Sequence, residues 1–140
     1  MKIKIKKLSK DAKLPSYAHE GDAGLDLYSD EDFILKVCER AAIKTGVQIA
    51  IPNGYVGLVW DKSGIALNNG IKTKGGVIDS SYRGEIKVVM VNLGKEDFII
   101  KKGMKIAQML VQKVEKAELE EVEALDETTR NEKGFGSTGL

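Results

Sequence analysis

At 140 residues the chain has the length of one domain with a core of its own, and no room for two. Its 22 basic and 21 acidic side chains nearly cancel, which excludes a broad field directed at nucleic acid or an anionic membrane; any anionic ligand must be held locally. The single cysteine, Cys38, excludes an intrachain disulfide and points to a reducing, cytoplasmic location.

Met1-Lys2-Ile3-Lys4-Ile5-Lys6 alternates charged and apolar residues, which predicts a strand and not the apolar block of a signal peptide or membrane span. A soluble, unprocessed protein with no membrane or nucleic-acid partner is expected. Leu25-Asp26-Leu27 reads as a strand with a carboxylate between two leucines, a costly place for a charge unless it is paired or near a metal. Residues 33–38 read as another strand, with Cys38 a small apolar filler. Further short strands are predicted at residues 47–51, 55–60 and 87–91, and Gly103-Met104-Lys105-Ile106-Ala107-Gln108-Met109-Leu110 as a core strand interrupted by Gln108, which needs a hydrogen-bond partner if buried. Turn signals separate these runs at Pro52-Asn53-Gly54, Asn68-Asn69-Gly70, Gly75-Gly76, Asn92-Leu93-Gly94-Lys95 and Lys102-Gly103, with 15 glycines in all. The pattern predicts an all-β, antiparallel sandwich or barrel with one short helix around residues 65–68.

Three segments carry chemistry. Asp61-Lys62-Ser63-Gly64 sets a cation, a hydroxyl and a glycine at the start of the helix, a set that meets phosphate well but that, taken alone, reads as a plain helix cap. Gly75-Gly76-Val77-Ile78-Asp79 lets backbone approach a ligand at the two glycines, then projects Asp79 from the end of a buried strand; alternatively Asp79 only starts the turn to Tyr82. From Glu115 the sequence turns into a charged, strand-like stretch, followed by a tail with Arg130, Phe135 and Gly136-Ser137-Thr138-Gly139. That tail reads either as a frayed end or as an arm supplying charge, a stacking face, hydroxyls and open N–H groups to a nucleotide phosphate.

Together with Leu25-Asp26-Leu27 and the strand around Gln108, these segments resemble, in order and on an all-β background, the five motifs of the homotrimeric dUTPase family from Ala23 to Gly139, most specifically in Gly76-Val77-Ile78-Asp79, Tyr82-Arg83-Gly84 and Gly134-Phe135-Gly136-Ser137-Thr138-Gly139. The resemblance implies a jelly-roll-like fold, with residues 1–123 as the β domain and 124–140 as an arm exchanged between the subunits of a homotrimer. It implies hydrolysis of dUTP to dUMP and pyrophosphate by water attack on the α-phosphorus, which limits uracil in DNA and supplies dUMP for dTMP synthesis. Asp79 would be the general base and also accept from the ribose 3′-hydroxyl. Tyr82 would pack on the deoxyribose and reject a 2′-hydroxyl; the backbone from Thr73 through Gly76, Val77 and Ile78, with Lys87 on the next strand, would read uracil. Lys62, Ser63, Gly64, Gln108 and Arg130 would meet the triphosphate, Phe135 would stack on uracil, and Gly136, Ser137 and Thr138 would close over the phosphates. Mg²⁺ would be held mainly by the triphosphate, with Asp26 holding its waters from behind.

Two departures stand out. Lys62 occupies a position where the family usually has arginine, which retains charge but loses a bidentate fork. Asn131 replaces a usual glycine, and asparagine tolerates left-handed backbone better than most residues. His19, the only histidine, has no metal-ligand partner at a useful spacing and no role. The rival reading is a dCTP deaminase, alone or combined with dUTP diphosphatase, which needs an acid-base group beside C4. The strand at Ile86-Lys87-Val88-Val89-Met90-Val91 holds no glutamate, and Glu85 only precedes it. A non-catalytic β-sandwich binding nucleotides or a protein is the rival from another class; Asp79 together with the whole tail speaks against it.

Overall fold

A computed structural model describes residues 1–132. The elements in chain order are β1 (Lys4–Lys7), β2 (Leu25–Tyr28), β3 (Phe33–Leu35), β4 (Arg40–Ala50), β5 (Tyr55–Trp60), α1 (Ser63–Asn69), β6 (Ile71–Lys74), β7 (Val77–Ile78), β8 (Glu85–Asn92), β9 (Phe98–Ile100) and β10 (Lys105–Lys113). Two four-stranded sheets form, ordered β1-β4-β8-β6 and β2-β10-β5-β7, and β3 pairs with β9. Every pairing is antiparallel, as expected for short strands joined by tight turns.

The core lies between the sheets because the inward residues alternate along each strand. Ile43, Val47 and Ile49 of β4 and Ile86, Val88 and Met90 of β8 meet Leu27 of β2, Val59 of β5 and Ala107 and Met109 of β10. Leu27 and Met109 are fully buried, so trimming either to alanine would cost about 2–5 kcal/mol through lost burial and the cavity left behind. No helix among the described residues is long and apolar enough to cross a membrane.

Turn chemistry places the strand ends. Gly54 takes φ +80° while Tyr55 N–H donates to Pro52 C=O, and Gly70 ends α1 in the left-handed conformation with φ +68°. The alternating N-terminus does form a strand, but β1 is a sheet edge exposed along its whole length, where its lysines discourage pairing with other chains.

The fold corrects the sequence reading at Cys38, from Glu115 onward and before Asp79. Cys38 is an exposed turn residue at φ +63°, its N–H donating to Asn92 C=O, and not a strand filler; β3 stops at Leu35 because the chain must turn before β4. The stretch from Glu115 forms no strand; β10 ends at Lys113, and Leu119 and Leu125 beyond it are 91% and 84% exposed. Within one chain no sheet edge receives that segment. The strand before Asp79 is not buried: β7 has only two residues, and Val77 is 65% exposed.

Candidate active site

The β6–β7 hairpin bridges the two sheets, since β6 pairs with β8 and β7 pairs with β5. A Cβ on Gly76 would strike the carbonyl of Val59, whose N–H donates to Gly76 C=O at 2.8 Å. The glycine is therefore required by β5, not by a ligand. Gly75 beside it takes φ +60°, a turn that a side chain would strain.

Past the hairpin lies a hollow of about 400 Å³ lined by Gly75, Val77, Ile78, Asp79, Tyr82, Glu85 and Lys87, within the size range of small-molecule sites. Asp79 does start a turn, Tyr82 N–H donating to its carbonyl at 3.1 Å, yet its exposed carboxylate forms no hydrogen bond or ion pair among the described residues. An acceptor left open in a hollow can hold a water. The Tyr82 hydroxyl donates to Glu85 C=O at 3.0 Å, and its ring lies where a Cβ on Gly84 would stand, so Gly84 makes room for the tyrosine. Arg83, without a role in the sequence reading, fixes the turn by donating to the carbonyls of Ser80 and Tyr82 at 2.7 and 2.8 Å. The Glu85 carboxylate accepts Gly46 N–H at 3.0 Å, a structural tie.

A second constellation forms at the other end of β5. Asp26 is 3% exposed yet paired: Lys62 Nζ donates to its Oδ1 at 2.5 Å, and Lys105 Nζ stands 2.7 Å from Oδ2. Burial pushes the Asp26 carboxyl up, but the Lys105 and Lys62 ammonium groups outweigh it and hold the carboxyl below its ordinary value. The pairing need inferred for Asp26 is thus met by two lysines, one of which, Lys105, the sequence reading left without a role. Gln108, the interruption in β10, donates through Nε2 to Asp61 C=O at 2.8 Å, and Gly24 has no side chain because Gln108 lies against it. Ser63 does not cap α1. The cap position is Lys62, with no side-chain hydrogen bond, so Ser63 and Gly64 remain exposed at the start of the helix.

The predicted site residues therefore fall into separate groups on one chain. Val77, Ile78, Asp79, Tyr82 and Lys87 share the hollow, with Gly76 behind it. Asp26, Lys62 and Gln108 share the second constellation beside Ser63 and Gly64. Thr73 is buried outside the hollow, its N–H and hydroxyl both donating to Asp61 Oδ1 at 2.6 Å. Arg130 is exposed in the tail, where Thr128 N–H donates to Asn131 Oδ1 at 2.6 Å and Asn131 N–H to Thr128 Oγ1 at 2.9 Å. Asn131 takes φ +43°, the left-handed conformation anticipated for it. Phe135, Gly136, Ser137 and Thr138 lie outside the described residues. Among the described residues no cluster of three or more His, Cys, Asp or Glu could hold a metal ion by itself.

Register measures the distance between the groups. Asp26, Gln108 and Trp60 are partners across β2, β10 and β5, while Ile78 pairs with Gly57, three residues back along β5. With strands ~4.8 Å apart and a rise of ~3.3 Å per residue, the backbones of Asp26 and Ile78 are roughly 17 Å apart.

Comparison with known proteins identifies the family. The dUTPase family model matches residues 10–139. A deoxyuridine 5′-triphosphate nucleotidohydrolase of Clostridium kluyveri is 52% identical over 99% of both chains, and one of Clostridium tetani is 47% identical over 98% of this chain and 96% of its own. Among solved structures, the Staphylococcus bacteriophage 80alpha dUTPase with dUPNHPP superposes with a TM-score of 0.93 at 32% identity, covering 99% of each chain. A dUTPase from phage phi11 of S. aureus, described with a coordinated structural Mg(II) ion, superposes at 0.83 with 28% identity, covering 89% of this chain and 98% of its own. The chain belongs to the dUTPase family.

Proposed function

We propose that the protein hydrolyses dUTP to dUMP and pyrophosphate. The observation that carries this reading is Asp79, a carboxylate without a partner among the described residues, in a nucleoside-sized hollow with Tyr82 beside it. Asp79 orients a water and takes its proton as the oxygen bonds to the α-phosphorus. The bond from that phosphorus to the bridging oxygen breaks, and pyrophosphate leaves. Tyr82 fills the space a 2′-hydroxyl needs. Uracil is read by hairpin backbone at residues 73–78, with Lys87 nearby. Lys62, Ser63, Gly64, Gln108 and Arg130 take the triphosphate charge, and Phe135, Gly136, Ser137 and Thr138 close over it. The deaminase reading is not favoured, since Glu85, the only acid lining the hollow besides Asp79 among the described residues, already accepts Gly46 N–H through Oε1.

Magnesium fits this chain only as a partner of the nucleotide. No acidic cage exists among the described residues, but Asp26 carries a negative charge and about four acceptor directions, of which two lysines use part. Asp26 would hold the metal's waters, and the ion would neutralise charge on the departing pyrophosphate.

The site is assembled between the subunits of a homotrimer. The backbones of Asp26 and Ile78 are roughly 17 Å apart, more than a triphosphate extends beyond its α-phosphorus, which supports a site that takes Asp79 from one chain and Lys62 from another. A segment that exposes Leu119 and Leu125 and lacks a sheet of its own is suited to exchange between protomers, and a closed ring leaves no free copy of that surface. The lone cysteine and the near balance of 22 basic and 21 acidic side chains support a cytoplasmic enzyme with no nucleic-acid partner. The test is pyrophosphate release from dUTP, dCTP, dTTP and UTP, each with Mg²⁺ and with chelator. Release from dUTP alone, abolished by chelator, is expected; equal turnover of dCTP, or none of dUTP, would overturn the reading.

A further inference from the structure

Asp61 lies just after β5 and just before Lys62, and every acceptor it owns is in use. Its Oδ1 accepts both the N–H and the hydroxyl of Thr73 at 2.6 Å, its Oδ2 stands 2.7 Å from Lys72 Nζ, and its carbonyl accepts Gln108 Nε2 at 2.8 Å. Lys72 Nζ also donates to Thr73 C=O at 3.1 Å, closing a ring of three residues. The position explains the bonds. Strand β6 is the edge of its sheet, and an edge strand turns alternate N–H groups away from its neighbour. Thr73 is 6% exposed, so its outward N–H and hydroxyl need an acceptor from the protein, and Asp61 is that acceptor.

The consequence concerns the hairpin. Its second leg is fixed by the pairing of β7 with β5 and by Val59 N–H on Gly76 C=O. Its first leg has β8 on one side only, and on the other side Asp61 is what holds it. We propose that Asp61 is a positioning residue for substrate recognition, which sets the first leg of the β6–β7 hairpin, and hence the backbone that reads the base, against the Lys62-Ser63-Gly64 segment. This rests on the reading that the hairpin binds uracil. Asp61 touches no reacting atom; it acts through Thr73.

The position predicts a split between binding and turnover. Asp61→Ala strands the buried N–H and hydroxyl of Thr73, which must move to find water, while Asp79 and Tyr82 beyond the second leg stay in place. The KM for dUTP should rise about tenfold, with kcat within about threefold of the parent. Asp61→Asn keeps an oxygen for both Thr73 donors and should restore KM to within about threefold, although it loses the charge facing Lys72. Thr73→Val removes one donor and should raise KM by itself; added to Asp61→Ala it should change little further, because both act on one contact.

The experiment measures KM and kcat of the full-length parent and these variants on dUTP with Mg²⁺, with amide exchange at Thr73 followed by NMR. Slow exchange in the parent that becomes fast in Asp61→Ala, together with the KM effect and its rescue by asparagine, supports the proposal. An unchanged KM in folded Asp61→Ala, equal defects in the asparagine and alanine variants, or additive effects of the two sites would overturn it. Should Asp61→Ala not fold, Thr73→Val and Asp61→Asn decide, and a parental KM in Thr73→Val refutes the role. A parent inactive on dUTP would defeat the proposed function itself, while loss of protection at Thr73 would still report on the clamp.

Discussion

Replacing Asp79 by asparagine separates the proposed chemistry from folding. The Asp79 carboxylate is exposed and makes no hydrogen bond or ion pair among the described residues, so nothing in the fold depends on its charge. A substitution of that kind stays within about 0.5 kcal/mol, a shift of at most about 3 °C in Tm for a chain this size. Asparagine has the same shape and still orients a water, but it cannot take the water's proton. General-base catalysis contributes about 10²-fold or more, so kcat should fall by at least that factor, about 2.7 kcal/mol in the barrier. Steady-state kinetics on dUTP would be read beside a thermal melt and the affinity for a non-hydrolysable dUTP analogue. Turnover within about threefold of the parent, with Tm and affinity retained, would refute the assignment of Asp79 as base.

Tyr82→Ala should raise hydrolysis of UTP relative to dUTP, because the space at the 2′ position opens while the phosphate contacts remain; an unchanged ratio would show that Tyr82 is not the gate. Asp26, Asp30 and Asp61 all have carboxyls held below their ordinary range: at Asp26 and Asp61 burial opposes the shift but is outweighed by Lys105 and Lys62 and by Lys72 and Thr73, and at Asp30 the Ser9 hydroxyl leads it. A folded-state value below the unfolded one gives stability that is full above the unfolded value and lost as pH falls through the folded one. Tm should therefore hold at neutral pH and drop below about pH 4, and Asp26→Asn should flatten that acid limb; an identical limb in the variant would count against the pairing. Phe135→Trp should be quenched when a non-hydrolysable dUTP analogue is added, against Trp60 as the only other tryptophan, and no change at saturation would mean the arm does not stack on the base.

What the sequence disclosed follows from the range of the forces involved. Strand β5 matches its predicted bounds because Pro52-Asn53-Gly54 starts it and Asp61-Lys62-Ser63 stops it, both local signals. The Asn131 bend was equally legible, since left-handed tolerance is a property of the residue itself. Cys38 was misplaced because the apolar run from Phe33 to Val37 continues past the point where tertiary packing ends β3, and Val37 is 40% exposed. The contacts of Lys105 and Asp61 are not legible for another reason. Their partners, Asp26 and Thr73, are set by strand register and by the edge position of β6, which no spacing along the chain encodes. The bulge between Lys105 and Ala107 shifts the register of β10 against β2, so even counting pairs from Gln108 outward would misalign Lys105.

The shared site is the centre of this account, and subunit mixing tests it most directly. Asp79→Asn and Arg130→Ala chains, each nearly inactive alone, would be unfolded together in equal amounts and refolded as mixed trimers, with the composition checked by mass. If a site takes Asp79 from one chain and Arg130 from another, half of the first and half of the second are intact, and about a quarter of sites should work. Recovered activity near a quarter of the parent is the expected result. Activity no greater than the sum of the two separate mutants, with mixed trimers present, would contradict the account and show that each site is built from one chain.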